Sequence, residues 1–131
     1  MESDFQLRIR HAARTMILDL SGDITKSTEQ VILGCRDWEQ GLDDGRKHLI
    51  LNFVDVPYIN SAGIALLIRL TRAGIRAGFT TFAYGLSPHY QKMFRMVGLT
   101  EYMMIYPDEY TALRRIEELY DQNPSNGENP R

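Results

Sequence analysis

The chain has a single cysteine, Cys35, so an intrachain disulfide is excluded, as suits a reducing cytoplasm. It also lacks an excess of charge of either sign. Fifteen Lys and Arg against 17 Asp and Glu leave a net −2, and the arginines are interspersed among acids. Nothing in that balance calls for a polyanion, so no nucleic-acid partner is expected. No apolar run approaches the roughly 20 residues of a membrane-spanning helix. The opening MESDFQLRIR has no apolar signal-peptide segment. The expectation is a cytoplasmic protein without membrane insertion.

Catalytic signatures are equally scarce. His11, His48 and His89 each lie beside a different expected element, and with one cysteine and no HExxH spacing a metal site has no support. No GxxxxGK[ST] or GxGxxG phosphate cradle occurs, and no serine sits in GxSxG. Asp19 and Asp23 flank the end of one expected strand and read as exposed turn acids. We therefore expect no enzyme, no metal and no cofactor.

What is present is enough apolar material for one compact core, 44% of 131 residues. The chain is organised around His48–Gly78. Leu49-Ile50-Leu51, continued by Phe53, is an unbroken apolar run and reads as a strand covered on both faces. A helix pattern starts at Ser61, placed as N-cap, with Ile64, Leu67, Ile68, Thr71 and Ile75 as its core stripe and Gly78 as its stop. Ala62, Leu66, Leu70 and Ala73 form a second stripe, expected to pack under a neighbouring helix. Ser61 has two compatible readings here. It can cap the helix, or it can carry a phosphate, which the free N–H groups and dipole of a helix N-terminus tolerate. Asn60 suits a left-handed or Asx turn.

Elsewhere, Phe5, Leu7 and Ile9 alternate with Gln6, Arg8 and Arg10, and Met16, Leu18 and Leu20 alternate again, which predicts a hairpin. The Arg8, Arg10 and Arg14 group reads as a solvated strand face. Ser27-x-x-Gln30 resembles a capping box, followed by Val31, Cys35, Trp38 and Leu42 on one face of a helix that Gly34 weakens. Phe79–Tyr84 predicts a strand, Ser87-Pro88 a helix start, Tyr90, Met93, Phe94 and Val97 a core stripe, and Met103–Ile105 a short strand. Asp108 caps a last helix with Leu113, Ile116 and Tyr120 inward. From Gln122 the polar, Asn- and Pro-rich sequence reads as a disordered tail, 122–131. The order β-β-α-β-α-β-α-β-α predicts an α/β domain with a mixed sheet of about five strands flanked by helices.

These residues carry a family resemblance. Leu51-Asn52-Phe53, Val56 and Ile59-Asn60-Ser61-Ala62-Gly63-Ile64 resemble the strand, loop and helix start of the STAS domain of bacterial anti-sigma factor antagonists, whose core motif is D-S-[ST]-G-[LI]. Leu20-Ser21-Gly22-Asp23-Ile24 resembles its L-x-G-[ED]-[LI] turn. Ser87-Pro88, Phe94, Val97-Gly98-Leu99 and Ile105-Tyr106-Pro107 fall where the family has similar residues. The resemblance covers residues 1–121 and implies a STAS-like fold. It also implies a partner switch in which Ser61 is the phosphoacceptor of an anti-sigma factor that is itself a GHKL-type serine kinase. The unphosphorylated form would bind that kinase and free a sigma factor, and a PP2C-type phosphatase would reset the serine. Asp23, Thr25, Asn60, Ser61, Ala62, Gly63 and Leu66 are then expected to form the partner-binding loop and helix start. Two positions depart from the pattern: Asn60 replaces the motif aspartate, and Thr25 stands where many members have an acid. The alternatives are a non-phosphorylated structural STAS subunit of a sensory scaffold or lipid-transport complex and, lacking a phosphate loop, a nucleotide hydrolase.

Overall fold

The computed structural model describes residues 4–122. Alternating residues in the first two strands produce a hairpin, β1 (Gln6–His11) and β2 (Thr15–Ser21), paired antiparallel from Gln6↔Ser21 to His11↔Met16. β2 then pairs in parallel with β3 (His48–Asp55), β3 with β4 (Thr80–Tyr84), and β4 with β5 (Met103–Tyr106). The sheet is five-stranded in the order β1-β2-β3-β4-β5. Each parallel step needs a crossover, and helices supply them: α1 (Glu29–Gly34), α2 (Ser61–Ala77) and α3 (Pro88–Met96), with α4 (Glu109–Gln122) closing the chain. The mixed sheet flanked by helices is thus the α/β arrangement the sequence predicts. Of the expected tail, 122–131, Gln122 is instead the last residue of α4, and the rest lies outside the described residues.

Period-two alternation divides the core. Met16, Leu18, Leu20, Leu49, Leu51 and Phe53 face α1, α2 and α3, forming one large cluster with Ile32, Leu66, Leu67, Leu70 and Phe94. Ile17, Ile50, Phe82 and Tyr84 point the other way and meet Ala112 and Ile116 of α4. The apolar run at 49–51 is continuous because β3 is covered on both sides.

Two helices depart from the expected pattern. The stretch read as one helix to Leu42 breaks at Gly34, a poor helix former. Asp37 then caps a separate 3-10 turn, Trp38–Gln40, with its carboxylate accepting the Glu39 N–H at 3.2 Å. Trp38 and Leu42 are buried, but Val31 and Cys35 are exposed. The capping box also lies elsewhere. The Thr25 hydroxyl accepts the Ser27 N–H (3.3 Å) and the Thr28 hydroxyl accepts the Thr25 N–H (3.2 Å), ahead of a 3-10 turn, Lys26–Thr28. In α2 the stripe of Leu66, Leu70 and Ala73 is buried as expected, whereas Ile75 is 55% exposed. The buried arc of α2 is centred between the two expected stripes, because α2 packs against α1 and the Trp38–Gln40 turn as well as the sheet.

Candidate functional site

The parallel strands β2 and β3 end side by side, and the loops that follow are joined by their backbones. The Gly22 N–H donates to the Asp55 carbonyl (2.9 Å), the Ile24 N–H to the Tyr58 carbonyl (2.9 Å), and the Asn60 N–H to the Ile24 carbonyl (3.2 Å). Ile24 and Ile59 form a parallel bridge, both side chains buried. On the other side the Ile59 N–H donates to the Tyr90 hydroxyl of α3 at 3.0 Å. Tyr90, read as a core aromatic, thus has a second task that sequence periodicity does not reveal: its ring is buried and its hydroxyl fixes the loop.

Asn60, not Ser61, is the N-cap of α2. It is extended (φ −94°, ψ −177°), and its side-chain oxygen accepts the Gly63 N–H at 2.9 Å. Ser61 is therefore the first helical residue, and its side chain is left exposed. The N–H groups of Ser61 and Ala62 have no acceptor among the described residues, so two orphan donors face the end of the helix. No described side chain hydrogen-bonds the Ser61 hydroxyl. The serine has no base among the described residues and is a passive hydroxyl beside an anion-friendly helix end.

The other expected residues divide by exposure. Asp23 is exposed at the tip of the first loop, and Ala62 is half-buried beside Ser61. Thr25 is occupied as the cap already described. Leu66 is corrected: only 1% exposed, it points into the three-helix core and offers no side chain to a partner. Gly63 is also buried, and it acts by absence. A Cβ there would lie 2.3 Å from the Ile24 carbonyl oxygen and 2.9 Å from Ile59 Cγ2. Only a residue without one lets α2 start this close to the β2 loop. At the rim, Glu29 bridges Lys26 (3.0 Å) and Arg69 (2.8 Å), joining α1 to α2. Hydrogen bonds from Arg69 and then Lys26 hold its carboxyl below the usual range.

Asp19 is a second correction. It is no turn acid but a residue of β2 on the α4 side of the sheet, its side chain 15% exposed. Its carboxylate accepts from Arg10 (2.6 and 2.8 Å), Arg8 (2.9 and 3.1 Å) and Asn52 (2.8 Å). Arg10 continues to Glu109 (2.7 Å), which also accepts the Tyr84 hydroxyl (2.7 Å). Arg10, followed by Asn52 and Arg8, holds the Asp19 carboxyl far below its ordinary value despite desolvation. Burial, followed by Glu109, pushes the Tyr84 phenol up. Of the arginine group read as a solvated face, Arg8 is exposed, whereas Arg10 is held between Asp19 and Glu109 and Arg14 pairs with Glu117 (2.9 Å) and stacks on Tyr120, 3.5 Å from the ring centre.

Among the described residues no group of three or more His, Cys, Asp or Glu could hold a metal ion, and no helix is long and apolar enough to cross a membrane. A cavity of about 660 Å³ opens at the opposite end of the sheet, beside Arg14, Arg46, His48 and Tyr120. None of the expected site residues lines it.

Comparison with known proteins agrees with this architecture. The unphosphorylated form of the anti-sigma factor antagonist SpoIIAA superposes with a TM-score of 0.68 at 22% identity, covering 86% of this chain and 97% of that one. The phosphorylated form of SpoIIAA, a Bacillus cell fate determinant, gives 0.64 at 22% identity over 85% and 99% of the two chains. An anti-sigma factor antagonist from Mycobacterium paratuberculosis gives 0.66 at 20% identity over 87% and 95%. At such identities the likeness is one of fold. No curated protein matches the sequence. The STAS domain model matches residues 6–112, nearly the whole described chain, and the protein belongs to the STAS domain family.

Proposed function

We propose that this protein is an anti-sigma factor antagonist working as a phosphorylation-controlled binding module rather than as an enzyme. In this reading the unphosphorylated form binds an anti-sigma factor that is a GHKL-type serine kinase, and so releases a sigma factor in the cytoplasm. Transfer of the ATP γ-phosphoryl group to Ser61 ends the complex, and a PP2C-type phosphatase restores it. The observation that carries the proposal is the state of Ser61: first in its helix, exposed, its hydroxyl unused because Asn60 does the capping. A serine committed to capping would have to rearrange its own hydrogen bond on modification. This one can be modified without loss of a structural bond.

Phosphorylation adds about −1.5 to −2 charges, and an unpaired desolvated charge is costly, on the order of 3 kcal/mol. That cost weakens binding by about two orders of magnitude. Ser61→Asp should lose the kinase in calorimetry, and Ser61→Ala should keep it. Incubation with the kinase and ATP, followed by intact mass and peptide mapping, should place one phosphate on Ser61 and none on the Ala variant. Equal kinase affinity for both variants, or phosphate at another residue, would overturn the proposal.

A further inference from the structure

We infer that the cavity at the far end of the sheet from Ser61 binds a small organic phosphate, a phosphomonoester on a compact body, with Lys47, Arg46 and His48 as its polar contacts. This is a second site, and it does not depend on the switch: His48 begins β3, whereas Ser61 follows its end. The cavity volume, about 660 Å³, lies in the range of small-molecule sites and exceeds what a bare inorganic ion fills. The walls come from stretches far apart in sequence: 13–14 between β1 and β2, 44–48 entering β3, 78–80 entering β4, and 119–120 near the end of α4.

Those stretches are held to one another. The Thr80 N–H donates to the Lys47 carbonyl at 2.9 Å, the Arg46 Nε–H donates to the Ala12 carbonyl at 3.0 Å, and Arg14 stacks on Tyr120. A Cβ at Gly45 or Gly78 would meet nothing within 4 Å, so no neighbouring side chain fills the space beside them. The site is therefore formed before a ligand arrives, which avoids an ordering cost on binding. The charge of its walls selects an anion. Arg14, Arg46 and Lys47 stand against one lining carboxylate, Asp44. Arg14 is engaged by Glu117 and Arg46 by Asp44 (3.1 Å), while Lys47 is exposed and has no ion pair among the described residues. The Arg46 side chain is only 16% exposed, and its Nη2 has no partner among the described residues. A charge partly removed from water pulls harder on an anion.

His48 points to a ligand independently. Its ring is set edge-on against Phe82, with centroids 5.8 Å apart, and its Nδ1 is buried with no hydrogen-bond partner. A proton on Nδ1 would be a buried donor without an acceptor, the less tolerated arrangement, so the neutral ring carries its proton on Nε2. Nε2 has no partner among the described residues either, and it is the donor that His48 offers to the cavity its ring borders. Burial lowers the His48 pKa, with Arg14 acting in the same direction and Glu117 against it. The ring is thus neutral at neutral pH, and an anion beside it raises the pKa again. A phosphomonoester carries about −1.5 to −2 charges and three terminal oxygens, one each for Lys47 Nζ, Arg46 Nη2 and His48 Nε2.

The test titrates the purified protein with glycerol 3-phosphate and glucose 6-phosphate by calorimetry, with inorganic phosphate, succinate and glucose as comparisons, and follows the His48 ring nitrogens by NMR. One of the two esters should bind with a Kd below about 1 mM. Its saturation should raise the His48 pKa by about 1 and leave the proton of the neutral ring on Nε2. Lys47→Ala and His48→Leu should each weaken binding about tenfold, and His48→Gln, which keeps an N–H near the Nε2 position, less than about threefold. Thermal melting checks each variant, and the His48 titration of wild type reads the site without any substitution. Neither heat nor an NMR change with either ester would overturn the inference. Binding that leaves the His48 pKa unmoved would overturn it too, since the ligand would then sit elsewhere. Succinate binding as tightly as the esters would overturn the choice of phosphate, and inorganic phosphate binding as tightly would overturn the organic body.

Discussion

Two polar regions near the same end of the sheet use similar residues in opposite ways. On the α4 side, Arg8, Arg10, Asp19, Asn52, Tyr84 and Glu109 are linked by hydrogen bonds of 2.6–3.2 Å. On the loop side, Asp23, Asp55, Tyr58 and Ser61 project into solvent with side chains that bond to nothing described, while the backbone beneath them is tied by six hydrogen bonds. The first region has polar side chains occupied with one another. The second has fixed backbone and idle side chains. A satisfied polar group holds a structure together, whereas an idle one on a rigid support is available to something else.

The contrast breaks most severely at Gly63. If the loop region depends on close backbone approach, Gly63→Ala should cost about 3 kcal/mol, because its methyl group would meet the Ile24 carbonyl. Urea unfolding measures this. A variant as stable as wild type would show that the loops can separate without loss.

The ionic region should respond less, and with a characteristic pH dependence. Asp19→Asn keeps the shape but removes the charge that Arg8 and Arg10 share, at a cost of about 2 kcal/mol at neutral pH. Both Asp19 and Glu109 have carboxyl pKa values lowered in the fold, chiefly by Arg10. Lowered acids contribute stability that is complete above their unfolded pKa of about 4 and disappears as pH falls through the folded value. The gap between wild type and Asp19→Asn should therefore be flat around neutrality and close only in acid. A gap that closes between pH 5 and 7 would mean that another group governs it.

The smallest effect is expected at the cap. Asn60→Asp retains the acceptor for the Gly63 N–H and adds a charge where the helix dipole favours it, so melting should rise by the equivalent of about 0.3–1 kcal/mol. Ser61→Ala should not change stability measurably, since its hydroxyl holds nothing. A clear loss in Ser61→Ala would return Ser61 to the capping role and erase the distinction between the two regions.

Much of this was readable along the chain because the signals are local. The alternation at 16–20 and 49–53 set the strands, Ser87-Pro88 set the start of α3 with its cap on the Tyr90 N–H, and Asp108 capped α4. The motif around Ser61 marked the candidate site, and that serine does stand at the head of α2. Where local reading failed, neighbours in space had decided. Ser61 and Asn60 are both competent caps, and the Ile24–Ile59 bridge fixes the backbone that makes Asn60 the one in register. Leu66 lies beside the motif in sequence, yet three elements close over its side of the helix.

The sequence by itself determined the order and kind of the elements, the central buried strand and the serine at the head of its helix. These follow from side-chain periodicity and from capping chemistry confined to a few residues. Only the tertiary structure decided which hydroxyl is idle, which acid is paired and which apolar residues stay outside. Asp19 and Asp23 lie four positions apart, yet one meets two arginines across a hairpin and the other meets water. That outcome depends on strand register and loop contact, which bring together groups far apart in the chain and are set by the packing of the whole domain.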